Sequence, residues 1–307
     1  MRGTTFEQRS ITDWPTLAVI AAFWLSFAVL VVNSDHVPSV AVVIALGLLG
    51  CFYMSLQHEV IHGHPTRSRR LNWALVGIPL GLVMPFSRYG ATHLAHHNSD
   101  ITNPLDDPES FYVLAETWEH AGRLHRTFLT VNRTLAGRLV LGPAVMAWRS
   151  VSFDFPLAAR QAEVRLAWLA HVIGSGVVLT VIYQSPLPIW LYLLGFVYIG
   201  SSLTSLRSFA EHRVSPGETK IGAPRSAVVR SGRFFGLLFL NNNLHYTHHQ
   251  LPGAAWFRLP ELTGVLDSAA VVADSAGTYD GYGEIVRRYL FRPFEQPVHP
   301  MSDSIKA

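Results

Sequence analysis

Residues 14–64 read WPTLAVIAAFWLSFAVLVVNSDHVPSVAVVIALGLLGCFYMSLQHEVIHGH. Two runs in this stretch, Trp14–Val32 and Val37–Leu56, contain no Asp, Glu, Lys or Arg. Each is long enough to cross about 30 Å of hydrocarbon, which takes about 20 helical residues. Only Asn33–His36 separates them, so the chain turns back at once, and the second run leads directly into a histidine cluster. A second pair, Leu166–Tyr183 and Pro186–Leu206, repeats the arrangement across Gln184–Ser185. A shorter run, Leu71–Phe86, is broken by Pro79 and Pro85 and reads as a re-entrant or interfacial segment.

The whole composition agrees with lipid as part of the solvent. Of 307 residues, 49% are hydrophobic and 15% charged, against roughly 25% charged in an ordinary soluble domain. No linker, charge block or fixed-period repeat divides residues 1–307, which read as a single membrane-embedded domain. The lone Cys51 lies in an apolar run, which excludes a disulfide or a cysteine metal site. The net charge of +3 does not come from a basic stripe interleaved with aromatics, so no nucleic-acid partner is expected. The arginines instead mark one side: Arg2 and Arg9 before the first run, Arg67, Arg69, Arg70 and Arg88 after the second, Arg123 through Arg165 before the third, and Arg207 onward after the fourth. By the positive-inside rule both termini and both large polar regions are cytoplasmic, and a multi-pass protein of a bacterial inner membrane is the expectation. The first run lacks a small-residue cleavage site after it and reads as a retained anchor. The expected fold class is all-α, with four transmembrane helices in two hairpins under a cytoplasmic helical cap. Residues 108–165 read as helices at the membrane surface, Phe234–Leu240 as a segment packed on the bilayer or bundle, and Tyr282–Phe291 as a short amphipathic helix.

Nine of the fifteen histidines fall in three short windows: HEVIHGH with His58, His62 and His64; HLAHH with His93, His96 and His97; and HYTHH with His245, His248 and His249. Helix positions i, i+3 and i+4 share one face, so each window can aim two or three imidazoles at one point. All three windows fall on the same side of the membrane. A catalytic zinc takes three protein ligands and a structural one four; eight or nine imidazoles are better used by two metal ions. Imidazole without thiolate suits iron, copper or zinc, and the membrane setting and ligand number favour iron used for oxygen chemistry. The first window also reads H-E-x-x-H, the pattern of a zinc protease with His58 and His62 as ligands and Glu59 as base, although that leaves two windows unused. A transporter or sensor would carry its histidines mid-span, and these lie at the span ends and beyond.

The order H-x3-H, H-x2-HH, H-x2-HH, with a helical hairpin before the last, resembles the membrane fatty acid desaturase family. So do NNNLHYTHHQLPGAAWFRLPEL at 241–262, RSFAEHR at 207–213 and HHNSDITNPLDDPES at 96–110; the resemblance spans roughly residues 14–262. It implies a non-haem di-iron centre using O2 as co-substrate, with electrons from a separate ferredoxin-, rubredoxin- or cytochrome-type donor. The implied ligands are His58, His62, His93, His96, His97, His212, His245, His248 and His249, with His64 an additional ligand or a residue behind the ligands. Asp100, Asp106 and Asp107 are candidates to orient imidazoles, as are Glu59, Ser208, Glu211 and Asn242; Asn241, Asn242 and Asn243 together are candidates to cap the third-box helix or to bond to it. Some family members have asparagine where Ser208 stands. The implied reaction is insertion of a C=C bond into an acyl chain or similar aliphatic substrate. The alternatives are a small amino-acid-derived substrate, or hydroxylation or ketolation of a hydrophobic one.

Overall fold

The computed structural model describes residues 12–214 and 223–302, so Arg2 and Arg9, used above for orientation, lie outside the described residues. The first helix, α1 (Trp14–Val32), starts where Asp13 accepts the Thr16 N–H at 3.1 Å and the Thr16 hydroxyl, with Pro15 in the first turn. A carboxylate there satisfies an otherwise orphaned amide, and the missing proline N–H costs nothing. The second, α2 (Ser39–Ile61), continues past the charge-free run, so His58 falls in its last turn and His62 is its C-cap.

Two shorter helices, α3 (Arg69–Val76) and α4 (Phe86–His97), flank an irregular stretch at 77–85. Its carbonyls are taken by side chains from the long helices. Tyr53 Oη reaches Val76 O and Ile78 O, both at 2.6 Å, Gln57 reaches Val76 O, Trp24 reaches Leu75 O and Tyr192 reaches Leu80 O. The Leu82 carbonyl lies 3.3 Å from His171 Nε2, and Pro79 abuts Gly174. Both partners sit midway along a later long helix, so the segment enters the bundle instead of lying along its edge. Irregular backbone at membrane depth needs such internal partners.

The basic region holds a 26-residue helix, α5 (Leu135–Arg160), after two short ones at Ala115–His120 and Arg123–Val131. Pro143 inside α5 cannot bond the Leu139 carbonyl, and Ser202 Oγ takes that carbonyl at 2.7 Å. This bond ties α5 to the last long helix, and both line one cavity. Then follow α6 (Ala162–Tyr183) and α7 (Ile189–Ser208), the latter π-helical over Leu193–Ile199. A Cβ on Gly50 would sit 2.2 Å from Phe196 O, and one on Gly200 2.9 Å from Gly50 Cα. Glycine on both sides is what lets α2 and α7 cross at backbone contact.

Four helices, α1, α2, α6 and α7, are long and apolar enough to cross a membrane. Their outward faces expose Leu25, Val29, Leu169 and Ile173. The fold is mostly helical, not wholly so: Val228–Val229 pairs in parallel with Thr278–Tyr279. After the first of these strands come α8 (Arg233–Leu238) and α9 (His245–Gln250), and after the second α10 (Tyr282–Tyr289). Ser55 on α2 donates to Leu238 O at 2.9 Å, and Leu238, Phe239 and Leu240 are buried, which packs the 234–240 segment on the bundle. From α10, Tyr282, Ile285 and Tyr289 enter the same core.

Candidate metal centre

The three windows end up in different local settings. His58 and His62 close α2, His93, His96 and His97 form the last turn of α4, and α9 carries the third set. The turn into α9 runs through Leu240 and Asn241 at φ 48° and 55°, a left-handed conformation that asparagine tolerates better than leucine. Of the two roles expected for the asparagines, the cap does not form, because the N-cap of α9 is Leu244 with no side-chain bond, whereas a bond to the helix does, from Asn242 to His245. Instead the asparagines fasten the turn outward: Asn241 to Trp256 O, Asn243 to Val229 O, and Asn242 to His245 and Glu211.

Nine imidazoles gather at the end of the bundle. His58, His62, His93 and His248 form one group, and His96, His212, His245 and His249 form another. His97 adjoins the first, with its Nε2 3.1 Å from Nε2 of both His93 and His248, while its ring stacks on His249 at 4.2 Å. A single window therefore does not serve a single point. Successive helical residues advance about 100°, so i and i+4 lie about 40° apart while i+3 falls on the other side of i. In α4, His93 and His97 face the first group and His96 the second. In α9 the division is mirrored: His245 and His249 face the second group and His248 the first. His212, alone in sequence, completes the second group from just beyond α7; its Nε2 is 3.0 Å from that of His245.

The rear nitrogens are held. His96 Nδ1 meets Asp107 at 2.7 Å, His93 Nδ1 meets Glu109 at 3.0 Å, His212 Nδ1 meets Ser226 at 3.2 Å, and His245 Nδ1 meets the Asn242 amide oxygen at 3.2 Å. Carboxylate and carbonyl partners keep the proton on Nδ1 and leave Nε2 as a lone pair. Of the expected acids only Asp107 plays this part. Asp100 pairs with Arg225 at 2.7 Å, and Asp106 accepts the Asp100 amide, so both organise the loop. Glu211 pairs with Arg207 at 3.1 Å and stands 3.7 Å from His245, while Ser208 turns back to the Ser205 carbonyl. Glu109 and Ser226 were not singled out from sequence. Glu109 lies inside the acidic stretch quoted above, whereas Ser226 reaches His212 through an isolated antiparallel bridge and has no sequence signal.

Glu59 and His64 belong elsewhere. Glu59 accepts the Trp256 amide at 3.1 Å and faces His64 at 3.9 Å, and His64 Nδ1 meets Asp13 at 3.1 Å. These three form a separate buried group. It joins the start of α1, the end of α2 and the turn after α9. The H-E-x-x-H glutamate thus faces away from the imidazole groups, contrary to both roles expected for it.

The donor set fits bound cations. His58 Nε2 is buried without a hydrogen-bond partner, which is rare for such an atom unless a further ligand serves it. Nε2 atoms also face one another across 3.0–3.3 Å, a set of nitrogens that a shared cation could bind. Burial, and then neighbouring imidazoles, lower His97 and His212 to about 3 and His245, His248 and His249 well below the ordinary value, so protons do not compete there at neutral pH. His96 differs: burial opposes its charge, but Glu109 and Asp107 lift it to about 9. A metal–imidazole bond of about 2.1 Å sets neighbouring ligands about 3.0 Å apart at a right angle and about 3.4 Å apart at the tetrahedral angle. The shortest Nε2 separations run 3.0, 3.1 and 3.1 Å in the first group and 3.0, 3.1 and 3.3 Å in the second, within the reach of a shared ion.

A cavity of about 490 Å³ reaches this centre beside His212 and Glu109. It is apolar along Met54, Leu82, Val83, Met84 and Phe86, and polar where α5 meets the 107–112 loop. No curated protein matches the chain significantly. The sequence profile described as fatty acid desaturase matches residues 36–279, from the link before α2 through all three histidine windows to the second strand, and the chain belongs to the fatty acid desaturase family.

Proposed function

We propose that this oxidoreductase is an O2-dependent desaturase that holds two irons, one in each imidazole group, and inserts a C=C bond into an acyl chain or similar aliphatic substrate. The observation that carries the reading is the division of nine imidazoles into two adjacent groups, with Nε2 atoms facing each other and rear nitrogens tied to Asp107, Glu109, Ser226 and Asn242. His58, His62, His93, His97 and His248 would hold one iron, and His96, His212, His245 and His249 the other. Five imidazoles at the first group exceed the four donors of a tetrahedral zinc, which suits iron better. When bound, the iron pair supplies the reduction of dioxygen and the abstraction of hydrogen from an unactivated C–H bond.

The chain's own residues supply position and dryness. Asp107 and Glu109 fix the imidazole planes, and the wall from Leu82 to Phe86 holds an aliphatic segment away from water. Two hydrogens leave the substrate, and two electrons and two protons reduce dioxygen to water with them. The electrons come from a separate ferredoxin-, rubredoxin- or cytochrome-type protein docking on the metal side. By the positive-inside rule the arginine distribution supports a cytoplasmic metal side and cytoplasmic termini, with α1–α2 and α6–α7 as two hairpins of a bacterial inner-membrane protein.

Expression with a competent electron donor, followed by mass comparison of lipids and soluble metabolites, tests the reaction. A product two mass units lighter than its precursor is expected. A product sixteen units heavier, with no lighter species, identifies a hydroxylase and overturns the desaturase assignment.

A further inference from the structure

Five arginines line the cavity, and three of them have a carboxylate: Arg88 with Asp154 at 2.7 Å, Arg207 with Glu211 at 3.1 Å, and Arg133 with Glu295 at 3.8 Å. Arg138 and Arg149 differ. They stand on one face of α5, eleven residues apart, and both stack on Phe111, with guanidinium carbons 3.7 and 4.7 Å from the ring centre. Arg138 is 2% exposed, and its one hydrogen bond to the described residues runs from Nε to Asn132 O. Arg149 donates through Nη2 to the Pro108 and Ser110 carbonyls. Neither has a carboxylate at ion-pair distance among the described residues. Burial, then Arg133 and Arg149, depress Arg138 well below the ordinary arginine range. A buried guanidinium without a counter-charge is costly to keep, and its fork is shaped to grip two oxygens of one anion.

We propose that Arg138 and Arg149 bind the anionic head of the substrate, a carboxylate or a phosphate group, while its tail lies along Leu82, Val83, Met84 and Phe86. The proposal rests on the same cavity being the substrate site of the desaturase. The loop links the two ends: Arg149 holds the carbonyls of residues 108 and 110, and the intervening Glu109, with Asp107 beside it, holds the imidazoles. A neutral hydrocarbon would leave Arg138 without a counter-charge and Arg149 with only the more distant Asp107 and Glu109, so the site selects amphiphilic anions.

The test is binding to the full chain in phosphatidylcholine nanodiscs, read by calorimetry and thermal shift, with decanoate, decyl phosphate and decanol as probes. Binding of either anion well above decanol is expected, and the tighter of the two identifies the head group. Arg138→Gln should weaken the anion at least about tenfold, the usual scale for a charge-assisted hydrogen bond, and leave decanol unchanged. Arg149, half-buried, allows the same measurement in Arg149→Gln if the first variant fails to fold. Equal binding of decanol and the anions, or unchanged anion affinity in folded variants, overturns the proposal. Anion binding without any dehydrogenated product keeps the head site and removes the desaturase reading; dehydrogenation of a neutral chain with no anion preference does the reverse.

Discussion

The histidine end and the arginine end of the cavity handle charge in opposite ways. At the histidine end, imidazole Nε2 atoms face one another, and Asp107 and Glu109 behind them supply negative charge for an incoming cation. At the arginine end, two guanidiniums meet an aromatic face and backbone carbonyls, with no carboxylate within ion-pair distance among the described residues. In the proposed reading one array takes cations and the other an anion. The comparison teaches that an unbalanced local charge in a buried site describes the missing partner, provided the remaining hydrogen bonds are accounted for.

The largest expected effect lies among the imidazoles. Alanine at His212, the residue without a sequence cluster, should abolish turnover as fully as alanine at His248 and lower bound iron equally. Full activity in His212→Ala would remove it from its group and break the four-and-five division. Next come the acids behind the rings: Asp107→Asn and Glu109→Gln should each cost about 10- to 100-fold in activity or metal affinity, the usual scale for partners behind metal ligands. Loss confined to Asp107 would show that Glu109, 3.0 Å from His93, is a surface ion pair only. The smallest effect is expected at Glu59. Its carboxylate serves the Trp256 amide and His64, so Glu59→Gln should keep its iron and most of its turnover while lowering the thermal midpoint. Complete loss of activity with folding intact would restore the glutamate as a catalytic base.

The histidine end was largely legible in the sequence and the arginine end was not. Charge-free runs of about 20 residues announce spans because lipid tolerates little else, and imidazoles at i, i+3 and i+4 announce convergence. What such spacing cannot say is which ring turns to which metal, and here each H-x2-HH window is split between two groups. His212 stood out only through the resemblance, since its imidazole neighbours His96, His245 and His249 lie thirty-three or more residues away. Arg138 and Arg149 lay in a stretch read as surface helix. Their meaning depends on which carboxylates they fail to meet, a property of packing in three dimensions. Glu59 was misplaced for a related reason: adjacency to two histidines suggested a shared site, yet helix geometry turns it about 100° from His58 toward Asp13 and His64.

A pair of irons held by the nine imidazoles should be measurable in the purified protein. Metal analysis of detergent-purified protein, expressed in iron-replete medium and compared with His248→Ala and His212→Ala, tests it most directly. The account predicts close to two irons per chain with little zinc, and a marked loss of iron in each variant. One tightly bound zinc and no iron would contradict it.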